Sequence, residues 1–292
     1  MSNLVFEGLE KSFGPQKVLD QLSFAVNAGE IFGFVGSNGA GKSTTMRIAI
    51  GVLAADSGRV LFGGRPVDDD VRRRIGYMPE ERGLYGKEKI AEQLVFLAKL
   101  HGLHGPAARA QTEQLLERLG LGERMNDKLD SLSLGNQQKV QLAASLVHSP
   151  ELLILDEPFS GLDPLAVEVM SEILKEKAQL GVLIIFSSHQ LDLVQRMCDR
   201  VGILSGGTLA AEGPVADLRN QGPLVYRVLT TSRGWYPEGV RVLEESDTHV
   251  TVELPSPEAE QPTLHAAVNA GDVHGFYRII PDLSDLFRKY VS

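Results

Sequence analysis

The chain reads as an α/β protein, with a large domain built around a mostly parallel sheet and a small α+β domain after it. Three observations predict this. The runs "IFGFVG", "LLILDEP" and "GVLIIFSSH" are continuously apolar, the pattern of strands buried on both faces. Each is followed by a stretch with helical spacing, so strand and helix alternate as a parallel sheet requires. Beyond "RNQGPLV" the pattern changes to period two, the mark of half-buried antiparallel strands.

Taken in order, the first ~35 residues alternate short apolar runs with turn residues and predict paired β-strands with a turn at Lys11-Ser12-Phe13-Gly14. "IFGFVG" follows as a buried strand, then a glycine loop, then the helical "KSTTMRIAIGVL". Between Ile90 and Leu121, "IAEQLVFLAKLHGL" and "AARAQTEQLLERLGL" carry apolar residues at helical spacing, separated by a Gly-Pro break. A helical insert of about 88–145 is expected here, and "NQQKVQLAASLV" adds a helix with Val140, Ala143, Ala144 and Val147 on one stripe. The domain boundary is expected at 220/221, where Gly and Pro break the pattern. In 221–292 "LVYRVL", "GVRVLE" and "HVTVEL" read as strands, Val250, Val252 and Leu254 facing one way and His249, Thr251 and Glu253 the other. "PTLHAAVNAG" reads as a helix, and Trp235, the one tryptophan, as a packing residue. There is no internal repeat.

Composition limits the function classes. With 292 residues, 43% of them apolar and 23% charged, the chain can bury a full core and is expected to be a soluble globular protein. No window approaches the ~18 consecutive apolar residues of a membrane span, and "MSNLVFEGLEKSFG" lacks the basic and apolar regions of a signal peptide. A cytosolic location follows as the expectation. The single cysteine, Cys198, excludes an intrachain disulfide and a cysteine metal cluster, and is expected to be a packed helix residue. A net charge of −9 with the acids dispersed argues against a nucleic-acid groove and against a polybasic membrane anchor.

"GSNGAGKST" fits G-x-x-x-x-G-K-[ST], with a strand before it and a helix after it. A polyphosphate needs many donors at close range, and glycines let backbone N–H groups turn toward it. Gly36, Ser37, Asn38, Gly39, Ala40, Gly41, Lys42, Ser43 and Thr44 are therefore the candidate nucleotide-binding residues. The helix start adds positive partial charge, Lys42 suits the β and γ oxygens, and the Ser43 hydroxyl suits Mg²⁺. "LLILDEP" delivers Asp156 and Glu157 to the carboxyl end of a buried strand, the edge where parallel sheets place ligands. Asp156 suits a Mg²⁺ ligand, and Glu157 suits a group that orients or deprotonates the attacking water. "IIFSSHQLD" ends the next such strand with Ser187, Ser188 and His189.

This ordered set resembles the ATP-binding subunits of ABC transporters, over roughly Leu4 to Ala216. The resemblance implies a P-loop NTPase fold of the ABC ATPase type, with an N-terminal β subdomain and a helical insert. It makes "GSNGAGKST" the Walker A loop, "LLILDEP" the Walker B strand, "SGLD" the D-loop with Asp163, and His189 the switch histidine. Phe13 matches the aromatic that stacks on adenine, with Val18 as its neighbour. Two such domains are then expected to pair head to tail, as a homodimer or with a second ATPase subunit, each ATP lying between the Walker loops of one and the signature loop of the other. The C-terminal unit and the phrases "PEERGLY", "LGNQQKVQLAA" and "DEPFSGLDP" resemble the ABC-2 type exporter branch.

Two departures stand out. Glu80 occupies the place of the family's Q-loop glutamine, where a carboxylate can bind Mg²⁺ or position water, or simply sit on a solvated turn. The usual Leu-Ser-Gly-Gly-Gln signature becomes Leu132, Ser133, Leu134, Gly135, Asn136, with Gln137 next. Ser133 and Gly135 are kept, Leu134 need only point away from phosphate, and Asn136 or Gln137 can supply the amide. The leading expectation is an Mg²⁺-dependent ATPase that drives efflux through a separate membrane permease, held to the inner face of the membrane only by that partner. The alternative is a nucleotide-driven binding switch or sensor with little hydrolysis. A soluble ABC protein of translation or DNA maintenance is disfavoured, because a second ATPase unit and a long coiled coil are both missing.

Overall fold

The computed structural model describes residues 3–81 and 83–291. It divides into two compact units, Met1–Val215 with Phe287–Ser292, and Ala216–Leu286.

In the larger unit, β1 (Asn3–Phe13) and β2 (Gln16–Asn27) form an antiparallel hairpin. Strand β1 runs on through Lys11-Ser12-Phe13, and the turn falls at Gly14-Pro15 instead of the expected Lys11–Gly14. Gly14 has φ 58°, the left-handed conformation that glycine alone adopts without strain, so it fixes where the chain reverses. Strand β3 (Ile31–Gly36) is buried at every residue and leads through the glycine loop into α1 (Lys42–Ala49). Strands β4 (Ser57–Phe62) and β5 (Arg65–Pro66) complete a four-stranded sheet in the order β2-β1-β4-β5.

A short α2 (Asp69–Arg72), capped by Asp68, leads to β6 (Ile75–Met78). The helical insert holds α3 (Ile90–Leu100), α4 (Gly105–Arg118) and α5 (Leu134–Leu146). The Gly-Pro pair falls in the first turn of α4, where proline's missing N–H breaks no helical bond. Strand β7 (Leu152–Leu155), α6 (Pro164–Gln179), β8 (Leu183–Ser187) and α7 (Leu191–Met197) follow, then the hairpin β9 (Arg200–Ser205) and β10 (Thr208–Pro214). The main sheet has the order β10-β9-β3-β8-β7-β6, parallel except for β10. Cys198 is buried, yet it lies just past the end of α7 in extended backbone, so the expected helical placement is corrected. Its sulfur fills the space beside Gly33, where an added Cβ would come within 2.8 Å of it.

The two sheets meet over one apolar core. Phe24 of β2 is its hub, stacked on Phe6 with centroids 4.1 Å apart, and 5.4 Å and 5.3 Å from Phe32 and Phe34 of β3. Stacked rings at these distances add to the area they bury.

Helix α8 (Val215–Asn220) crosses the division between the units. The smaller unit then contains β11 (Leu224–Leu229), β12 (Arg241–Glu245), β13 (Val250–Leu254), α9 (Glu260–Ala270) and β14 (Gly275–Ile279). Its antiparallel sheet has the order β12-β13-β11-β14, and α10 (Leu283–Val291) ends the described chain. Val250, Val252 and Leu254 join Tyr226, Val228 and Trp235 in its core. Thr251, expected on the outer face, is buried as well.

Phe24→Ala should destabilise the larger unit by about 3–5 kcal/mol, the usual loss for an aromatic in a closed core. Denaturant unfolding of the full chain checks this; a change below about 1 kcal/mol would remove Phe24 as the hub.

Candidate active site

The central strand β3 ends at Gly36, and the loop that follows turns back into α1. An added Cβ at Gly36 would meet the Leu204 carbonyl oxygen at 2.7 Å, and one at Gly41 would meet Leu19 Cδ2 at 2.7 Å and the Val18 carbonyl oxygen at 3.0 Å. Gly41 also has φ 107°. Sterics therefore require glycine at both ends of this loop, and at Gly41 the backbone conformation requires it as well. Within it, the Ala40 N–H donates to the Ser37 carbonyl, and the buried Lys42 ammonium donates to the carbonyls of Gly36 (2.8 Å) and Ser37 (3.3 Å).

A cleft of about 430 Å³ lies against this loop. Its lining draws Asn38, Gly39, Gly41, Lys42, Ser43 and Thr44 from the loop and the start of α1, Phe13, Gln16 and Val18 from the β1–β2 hairpin, and Glu80, Asp156 and Glu157 from the segments after β6 and β7. Segments more than a hundred residues apart thus meet in one place. Gln16 was not singled out in the sequence; it follows the Phe13 turn, but a hairpin arm alone does not say which side chain faces a ligand. Phe13 is 49% exposed, with Lys11 Nζ 5.6 Å from its ring centre, so its ring is a surface platform.

Asp156 and Glu157 are both buried. Asp156 Oδ1 accepts from the Ser187 hydroxyl at 2.6 Å, while its Oδ2 is buried without a hydrogen-bond partner. Glu157 has φ 51°, an uncommon conformation for a residue with a side chain, and its N–H donates to the same Ser187 oxygen at 2.8 Å. Glu157 Oε2 lies 2.9 Å from His189 Nδ1, whose ring is 59% exposed. Burial pushes the Glu157 carboxyl above the ordinary carboxylate range, and the facing His189 and Lys42 pull it partly back.

The remaining candidates lie outside the lining of this cleft. Ser133 caps α5, its hydroxyl accepting from the Asn136 N–H at 3.4 Å, with Gly135 in the first turn and Leu134 59% exposed. Gln137, expected as a substitute amide, donates to the carbonyls of Leu129 and Leu132 within its own loop. Asp163 caps α6 through the Ala166 N–H at 2.8 Å. Two buried amides were missed: Gln138 donates to the Pro158 carbonyl at 3.1 Å and the Glu157 carbonyl at 3.4 Å, and Gln141 to the Pro79 carbonyl at 2.7 Å and the Glu81 carbonyl at 3.2 Å. Their polar character hid them from an apolar-stripe reading of α5.

A divalent cation fits this donor set. The unpartnered, buried Asp156 Oδ2 calls for a positive partner, and the Ser43 hydroxyl and Glu80 carboxylate line the same cleft.

A parallel α/β cassette with a phosphate-type glycine loop and an acidic pair at the strand ends is a nucleotide-binding class. The ABC transporter family model matches residues 19–160. The chain is 36% identical over 293 residues to the ABC transporter ATP-binding protein YhaQ of Bacillus subtilis (strain 168), covering 99% of this chain and 98% of that protein. It is 36% identical over 211 residues to the Nod factor export ATP-binding protein I of Burkholderia lata, covering 71% and 69%. Among solved structures, an ATP binding subunit of an ABC transporter matches with TM-score 0.70 at 34% identity, over 75% of this chain and 92% of that one. The chain belongs to the ABC transporter ATP-binding subunits and is an ATPase of that family. Among the described residues no helix is long and apolar enough to cross a membrane.

The raised pKa of Glu157 carries a stability consequence. The folded chain holds this proton more tightly than the unfolded one, so the group's contribution is full below the ordinary value of 4.5 and is lost as pH rises through the raised value. Nucleotide-free Glu157→Gln should therefore melt higher than wild type near pH 8, with the gap narrowing toward about pH 5. A gap that widens on acidification would contradict the sign.

Proposed function

We propose that this subunit powers export of a substrate through a separate membrane permease. Two such subunits close head to tail on ATP, each nucleotide lying between the glycine loop of one and the Ser133–Gly135 loop of the other. The observation that carries the reading is the half-built site. One cleft collects Lys42, Ser43, Asp156 and Glu157, and its lining includes none of Ser133, Gly135, Asn136 or Gln137 of the same chain. A head-to-tail partner would supply that missing side, presenting the start of α5 to the γ-phosphate. Export, as distinct from import, is supported by the Nod factor export relative.

The residues divide the chemistry. The loop amides and Lys42 bind the polyphosphate, and Phe13 stacks on the base, with Gln16 and Val18 beside it. Ser43 and Asp156, with Glu80 lining the same cleft, would hold Mg²⁺, which would supply neutralisation of phosphate charge. Glu157, desolvated enough to be a stronger base than a surface carboxylate, takes the proton from the attacking water. His189 steadies Glu157 through the contact its Nδ1 makes. Asp163 belongs to the facing surface between subunits, and the Glu80 segment passes closure to the permease through its ties to Gln141. The permease alone would then hold the subunit at the inner face of the membrane.

Glu157→Gln should keep ATP binding, accumulate an ATP-bound dimer in size-exclusion chromatography, and lower kcat by about 10²- to 10⁴-fold. Near-normal turnover would move the base elsewhere, and a wild type that binds ATP without hydrolysing it would favour a binding switch. Phe13→Ala should weaken ATP binding roughly fivefold, about 1 kcal/mol, with kcat little changed, since stacking on an exposed ring is uniform binding. An unchanged dissociation constant would take the base off Phe13.

A further inference from the structure

We propose that Ser187 is a positioning residue for ATP hydrolysis, one hydroxyl that aims the Asp156 carboxylate and fixes the backbone from which Glu157 reaches the site. The inference rests on the reading of Asp156 and Glu157 just given. Strand β8 lies between β3 and β7, with Phe34 paired to Ser187 and Leu155 paired to Phe186. This register sets Ser187 beside the first residue past β7, which is Asp156. It also sets Ser187 next to the strand that feeds the glycine loop. The hydroxyl is fully buried, donates to Asp156 Oδ1 at 2.6 Å and accepts from the Glu157 N–H at 2.8 Å.

Few side chains can do both at that distance. A hydroxyl has one hydrogen to give and lone pairs to receive with, alanine has neither, and a thiol donates weakly. Two consequences follow. With Oδ1 engaged, the carboxylate cannot turn freely, and Oδ2 is left as the unpartnered oxygen of a residue that lines the cleft. At Glu157, φ 51° is strained for a residue with a Cβ, and such a conformation persists only where its surroundings hold it. The bond from its N–H to Ser187 is such a restraint, and the carboxylate that results reaches His189 Nδ1 at 2.9 Å. Ser188, equally buried, does something else: its oxygen accepts from the Gln190 N–H at 3.0 Å and shapes the turn into α7.

The test uses the full chain with Ser187→Ala, Ser187→Cys and Ser187→Thr. It reads melting temperature, affinity for fluorescent ATP in EDTA and in Mn²⁺, and kcat against KM. Ser187→Ala and Ser187→Cys should keep the metal-free affinity, lose about tenfold of the affinity that Mn²⁺ adds, and lower kcat by about ten- to a hundredfold with KM changed less. Ser187→Thr, which keeps the hydroxyl, should recover both. Wild-type metal enhancement and kcat in folded Ser187→Ala or Ser187→Cys would overturn the proposal, as would a folded Ser187→Thr as impaired as alanine. Failure of the underlying reading would show separately, as a wild type whose ATP affinity does not respond to Mn²⁺ and which does not turn over.

Discussion

The parallel pairing of β3, β8 and β7 is the constraint on which the site depends. These strands are buried along their whole length, so their register is set by the core and not by solvent. Because they run the same way, their carboxyl ends lie together, and everything attached to those ends is delivered to one edge. The glycine loop leaves β3, Asp156 and Glu157 leave β7, and Ser187 and His189 leave β8. A one-residue slip of β7 against β8 would turn Asp156 away from Ser187 and break the hydroxyl's bonds to the Asp156 carboxylate and the Glu157 N–H.

The helical insert touches this edge through polar contacts. Helix α5, capped by Ser133, buries Gln138 and Gln141 one turn apart, the first bonded to carbonyls of Glu157 and Pro158, the second to those of Pro79 and Glu81. Gln93 of α3 closes the next loop by holding Tyr85 and Glu88. Buried amides of α5 thus tie it to both the Glu157 segment and the Glu80 segment, and their loss would leave backbone carbonyls unpaired.

Much of the site could be read from local patterns. The glycine loop, the acidic pair and the strand and helix that flank them each carry their signal within ten residues, and the structure gathers them in one cleft. What sequence did not reveal depends on register or on long-range bonds. Ser187 was visible at a strand end, but its link to Asp156 spans 31 residues and exists only in one pairing of β7 with β8. Gln137 bonds the Leu129 and Leu132 carbonyls, ties that nothing local in the sequence shows. The first turn was misplaced by the polar Lys11-Ser12 pair, which β1 accommodates as an irregular strand end.

The central claim is that the glycine loop and the β7 end together seat a metal-bound nucleotide. Hydrogen–deuterium exchange of the full chain, with ATP in EDTA and with ATP and Mg²⁺, tests it most directly. Peptides covering Gly36 to Thr44 should gain protection in both conditions, and those covering Leu155 to Glu157 only when Mg²⁺ is present. Protection confined to other segments, or none at the loop at saturating nucleotide, would contradict the account.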